Sequence, residues 1–104
     1  MNDVAALWTL HRDASWPKAL GRHEGELMTI DTVISGCATF FLDTPEGLDP
    51  KRVEMLRGCL SELENLLPEL ADDVEGYFVG LRHLGEVILL AQRAKGGKEG
   101  SCST

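Results

Sequence analysis

Two histidines stand three positions before a glutamate, His23 with Glu26 and His83 with Glu86. On a helix, residues three apart project from successive turns, so each pair has the spacing to grip a metal ion between an imidazole and a carboxylate. Carboxylate-bridged metal sites in helical bundles use the reverse order, Glu-x-x-His, and add further inward-facing glutamates. Those acids are missing here: Glu54, Glu62 and Glu64 fall on the polar arc of their segment, and Glu86 lies opposite the apolar stripe of its own. With ten glutamates in the chain, chance pairs of this kind are expected. His23, Glu26, His83 and Glu86 are therefore metal candidates by spacing alone, and the sequence reads as needing no cofactor.

The densest group of titratable residues outside the acidic middle of the chain is His23-Glu24-Gly25-Glu26, followed by Asp31. Carboxylates at the start of a helix are stabilised by its dipole, which accounts for them without further function. The functional alternative is a small polar site completed by His11 and Arg12. Nucleophilic catalysis needs a nucleophile beside an oriented base. Cys37 and Cys59 fall on apolar arcs, where cysteine behaves as a small hydrophobe, and Cys102 lies in a Gly/Ser/Lys-rich tail. There is no Gly-x-Ser-x-Gly, P-loop or Gly-x-Gly-x-x-Gly. Trp8 and Trp16 read as core anchors or as walls of a ligand pocket.

The elements that must position these residues are helical. In 50–67, Val53, Leu56, Cys59, Leu60, Leu63, Leu66 and Leu67 recur on one arc, with Asp49 as cap and Pro50 at the first helical position. Pro68 interrupts this run. Asp72 followed by Glu75 resembles a capping box that restarts a helix over about 73–94, stopped by Gly96-Gly97. Its stripe is Val74, Tyr77, Phe78, Leu81, Leu84, Ile88 and Ala91, and Val79, Val87, Leu89 and Leu90 carry the apolar surface further round. Gly76 and Gly80 leave a shallow track for another helix. The seven-residue repeat from Val53 to Ala91 also permits one long kinked helix, but the proline and the new cap favour an antiparallel hairpin.

Residues 26–42 contain many strand-favouring side chains, and Ser35-Gly36 offers a turn. Yet positions 27, 30, 33, 34, 37, 38, 40 and 41 share one helical arc, with Asp31, Thr32, Ser35, Gly36, Thr39 and Asp43 opposite. The period predicts a helix, the alternative being an α+β fold with a β-hairpin at 27–42. Thr44-Pro45-Glu46-Gly47 is then a loop. Val4, Leu7, Trp8 and His11 face one way on a first helix capped by Asp3. Ser15-Trp16-Pro17 opens a turn or a short helical piece ended by Gly21. The expected fold is all-α, a small bundle of about four main helices with a C-terminal helical hairpin. The expected domain is 1–94, followed by a flexible tail at 95–104.

The formal charge is −7, and its distribution is uneven. Between Asp43 and Glu75 there are ten acids against three bases, a surplus equal to the net charge of the whole chain. Such a surface opposes nucleic acid and anionic membranes, and no apolar run approaches the ~18 residues of a membrane helix. The N-terminus lacks the basic segment of a signal peptide, and the cysteines show no disulfide spacing. These features point to a cytoplasmic protein.

Without a motif that demands chemistry, the expected role is a non-catalytic, interacting or regulatory helical protein. The alternative is a small metal- or ligand-binding bundle built on the two His/Glu pairs. The surplus apolar surface of the last helix predicts a homodimer. Glu54, Glu62, Glu64, Asp72, Asp73, Gly76 and Gly80 are the expected interaction residues, the acids suiting a basic protein partner.

Overall fold

A computed structural model describes the backbone of residues 3–17 and 21–103, with side chains for 4–17 and 21–94. Its elements are α1 (Asp3–Asp13), a 3₁₀ turn at Gly21–His23, α2 (Glu24–Asp43), α3 (Pro50–Leu66), a 3₁₀ turn at Leu67–Glu69, and α4 (Asp72–Ser103). Among the described residues there is no strand. Region 27–42 is thus helical, and period prevails over the strand propensity of its threonines and phenylalanines.

The buried side chains follow the helical arcs. Leu27, Ile30, Ile34, Cys37, Ala38 and Phe41 come from α2, and Leu56, Leu60, Leu63 and Leu66 from α3. Val74, Phe78, Leu81, Leu84 and Ile88 come from α4, and Val4 from α1. They form one cluster, because each helix can remove its apolar stripe from water only against its neighbours. By length and composition Gly21–Asp43 is apolar enough to cross a membrane, which corrects the expectation that no segment comes near this limit. Six of its apolar residues are buried against the other helices, the arrangement of a core helix.

Pro68 acts as expected. Its missing N–H and its ring end α3 at Leu66, a 3₁₀ turn follows, and Leu70 is extended (φ −94°, ψ 149°). The chain then reverses, and α3 packs against α4 as a hairpin. The second cap differs from the capping-box expectation. Ala71 is the capping residue, its carbonyl accepting from the Glu75 N–H at 2.7 Å, while Asp72, Asp73 and Glu75 occupy the first turn. There their charges favour the dipole without the expected side-chain cap. Helical backbone runs past Gly96-Gly97 to Ser103. A helical glycine costs only about 1 kcal/mol relative to alanine, too little to stop a helix already templated by a packed stretch. The flexible-tail expectation for 95–104 and the Asp3 cap both fall outside the side chains described.

Gly21 has φ +74° and opens the turn into α2, while the short piece it was expected to close runs through 18–20, outside the described residues. The glycines of α4 divide into open and covered positions. Nothing lies within 4 Å of a Cβ added at Gly76 or Gly80, whereas one at Gly85 would meet the Leu60 side chain at 2.7 Å. Gly85 is therefore where the Leu60 side chain of α3 packs onto α4, and the Gly76–Gly80 track remains open.

The α2–α3 loop is pinned by a residue far along the chain, Gln92. Gly47 (φ +80°) donates to the Thr44 carbonyl at 2.9 Å, and the next N–H, of buried Leu48, donates to Gln92 Oε1 at 2.6 Å. Asp49 then caps α3, accepting from Arg52 N at 2.8 Å and from Arg52 Nη1 at 2.7 Å. The same guanidinium lies 3.9 Å from the Phe40 ring centroid, a cation–π contact that ties the start of α3 to α2.

Candidate functional site

Three helices place polar side chains at one point. His11 on α1 lies with Nε2 2.9 Å from Asp31 Oδ1, Tyr77 on α4 donates its hydroxyl to Asp31 Oδ2 at 2.8 Å, and Ser35 Oγ donates to Asp31 Oδ1 at 3.0 Å. The Tyr77 oxygen is also 3.3 Å from His11 Nε2. Asp31 was expected on the polar side of α2. It is four residues beyond Leu27 and three before Ile34, both core positions, so it sits at the margin of the buried arc with its side chain only 14% exposed.

Aromatic rings surround this network. His11 and Tyr77 are 4.9 Å apart between centroids, and Trp8 flanks His11 at 6.2 Å. Trp16 meets Tyr77 and Phe78 edge-on, at 5.5 and 5.8 Å. Such perpendicular contacts match the positive edge of one ring to the negative face of another.

The electrostatics follow from these contacts. Burial alone raises the Asp31 pKa, but the hydrogen bonds from His11, Tyr77 and Ser35 together outweigh it and hold the carboxyl below its ordinary value. Tyr77 is pushed far above its ordinary value by burial and by donating to Asp31, so it stays a protonated phenol at neutral pH. Burial likewise raises the thiols of Cys37 and Cys59, both free. Thiolate, the reactive form, is therefore scarce at either position.

Two open hollows adjoin the network. One of about 500 Å³ is lined by Trp16, Met28, Asp31, Thr32 and Ser35. The other, about 200 Å³, lies between α1 and α4, with Leu7, Leu10, His11, Ala14, Gly76, Tyr77, Gly80 and His83 around it.

The polar site expected from His11, Arg12, His23, Glu24, Glu26 and Asp31 is divided between two places. His11 and Asp31 meet as described, while Arg12 is exposed and pairs with Asp13 at 3.6 Å. His23 joins a separate group, Nδ1 3.0 Å from Glu26 and Nε2 2.9 Å from Glu69, with Arg22 at 3.4 Å from the same Glu69 oxygen. The His23–Glu26 spacing thus does bring its two side chains together. The carboxylates engage opposite ring nitrogens, so they do not converge on a point where a cation would sit. His83 lines the α1–α4 hollow, and Glu86 pairs with Arg82 at 3.9 Å. Among the described residues no group of three or more His, Cys, Asp or Glu is placed to hold a metal.

Both ring nitrogens of His23 face carboxylates, an arrangement that favours the imidazolium. Its pKa is raised above 6.5, by the bond to Glu26 first and that to Glu69 second. A pKa raised on folding contributes stability that is complete below 6.5 and is lost as pH rises through the folded value. His23→Gln should therefore flatten the dependence of the melting temperature on pH from about 6 to 8. An NMR titration of the His23 ring with a midpoint at or below 6.5 would contradict this.

Glu54, Glu62, Glu64, Asp72, Asp73, Gly76 and Gly80 are all exposed. The sequence missed Tyr77 and Gln92 as polar anchors, since Tyr77 reads as part of the apolar stripe and each one's partner is more than forty residues away. A search against protein families, curated proteins and solved structures finds no match for the chain.

Proposed function

We propose that this protein is a non-catalytic interaction protein of the cytosol that works as a homodimer through the outward face of α4. Support for the non-catalytic part comes from the network itself. Asp31 is clamped by three donors, Tyr77 is held as a phenol, and the thiols of buried Cys37 and half-buried Cys59 are disfavoured as thiolates. This arrangement fastens α1, α2 and α4 to one another. The two free cysteines within the bundle suit a reducing compartment.

The observation that carries the reading is the composition of the α4 surface facing away from the core. At about 100° per residue, Gly76, Val79, Gly80, His83, Val87 and Leu90 share one side. Val79 is 39% and Leu90 62% exposed, and none of the six carries a fixed charge. This side also matches itself. In an antiparallel pair centred on His83, positions equidistant from the centre meet, so Leu90 faces Gly76, Val79 faces Val87, and Asp73 faces Arg93. The bulky residue falls on the open glycine track beside exposed Leu10, and the charges oppose. Such self-complementarity is what a two-fold interface requires.

Sedimentation equilibrium tests this. The expected mass is twice that of the chain at micromolar concentration, and Leu90→Glu should weaken association at least tenfold, about 1.4 kcal/mol, with helical content retained. Gly80→Ala should stabilise the separated chain by about 0.5–1 kcal/mol through helix propensity and loosen the dimer by filling the track. A monomer at several hundred micromolar would overturn the homodimer.

Capture of a basic protein by Glu54, Glu62, Glu64, Asp72 and Asp73 is the second reading, favoured by the exposure of all five. Their neutralisation would then cost affinity for that partner while leaving self-association intact, which separates it from the first.

A further inference from the structure

The hollow beside Asp31 has the chemistry of a cation site. A carboxylate offers about four lone-pair positions. Three of those on Asp31 are taken, two on Oδ1 by His11 and Ser35 and one on Oδ2 by Tyr77. One position on Oδ2 is left, and the residue lines the hollow. Among the described residues no lysine or arginine pairs with Asp31, and it is the only charged residue in the described lining.

The remaining walls are an indole and a thioether that solvent reaches. Trp16 is 37% and Met28 51% exposed, and Thr32 and Ser35 complete the rim. An anion entering here would be repelled. A neutral apolar group would cover the remaining acceptor position of the carboxylate without filling it, at a desolvation cost. A cation on an alkyl stem meets both requirements: its head completes Asp31, and its stem lies on apolar surface near an aromatic ring.

We propose that the hollow formed by Trp16, Met28, Asp31, Thr32 and Ser35 binds an organic cation, a primary ammonium or guanidinium group carried on an alkyl chain. The head donates to Asp31 Oδ2 and the stem lies along Trp16 and Met28. The site is independent of the proposed dimer, since no residue of the hollow belongs to the outward face of α4.

The test is an NMR titration of the Trp16 indole N–H with n-butylammonium and with methylguanidinium at fixed ionic strength, with n-butanol as the uncharged control. Saturable shifts with a Kd on the order of 1 mM are expected for the cations and none for the alcohol. Asp31→Asn should weaken binding at least tenfold. Because that change also disturbs the network, exposed Thr32→Arg provides a second variant: its own guanidinium fills the hollow and should lower affinity for added cation at least tenfold with the fold retained. The source of the cation is read by comparing n-butylammonium with the blocked peptide Ala-Lys-Ala. Tenfold tighter binding of the peptide assigns the occupant to a protein side chain, and equal or weaker binding to a free amine, both within the proposal. Non-saturating shifts, equal shifts with n-butanol, or wild-type affinity in a folded Thr32→Arg variant would overturn it.

Discussion

Replacing Asp31 with alanine should destabilise the protein by about 3 kcal/mol at pH 7, as read from urea unfolding. The carboxylate accepts from His11, Tyr77 and Ser35, and hydrogen bonds to a charged group are worth about 1.5–3 kcal/mol each when buried. The full sum does not apply, because the side chain is 14% exposed and water can partly replace the acceptor after truncation. Removal still leaves a phenol and an imidazole facing an apolar gap between α1, α2 and α4. Tyr77→Phe, which deletes one donor and leaves the carboxylate with two, should cost about 1 kcal/mol. The pH dependence supplies an independent check. The folded pKa of Asp31 is depressed below 3.8, so its contribution is present above 3.8 and is lost as pH falls through the folded value. The stability gap between wild type and Asp31→Ala should therefore narrow in acid. A gap that stayed constant down to pH 2 would mean that the ionised carboxylate contributes nothing and that only packing was lost.

Gly47→Ala should cost a similar amount, about 2–3 kcal/mol, although it adds only a methyl group. Two penalties combine. The residue has φ +80°, where a side chain costs roughly 1–2 kcal/mol. The new Cβ would also collide with Gln92 Oε1 and press on Phe41 Cε1 at 3.1 Å. Gln92 cannot simply withdraw, because that oxygen receives the N–H of buried Leu48 at 2.6 Å, and a buried N–H left unpaired costs about 1–3 kcal/mol. Gly58→Ala in α3 is the matched control. Nothing lies within 4 Å of its added Cβ, so it should stabilise by up to about 1 kcal/mol. Equal effects at the two positions would show that the loop is not pinned by Gln92.

Both effects depend on partners that no local pattern reveals. The arc of Leu27, Ile30, Ile34, Cys37, Ala38 and Phe41 can be read along the sequence because a helix repeats every 3.6 residues and water excludes each apolar side chain alike. The same holds for the Asp49 cap and the break at Pro68, where the chemistry acts within four residues. The strand-like composition of α2 did not mislead, because alternation would have put Asp31 on the same face as Leu27 and Val33.

Asp31 also shows where that reading stops. Periodicity set it among polar residues, and only the approach of α1 and α4 turned the margin of its arc into a half-buried acceptor. Nothing in the spacing of 11, 31 and 77 announces that they meet, and the more legible His23–Glu26 pair gives no hint of its third member, Glu69. Likewise nothing in the sequence singles out Gly85 from Gly76 and Gly80 as the glycine against which Leu60 packs. The sequence by itself determined the four helices, their apolar sides and the reversal at Pro68, since these follow from interactions within a few turns. The tertiary structure alone decided which polar groups share a site and which glycines are covered, since both depend on the rotation and offset of helices distant along the chain.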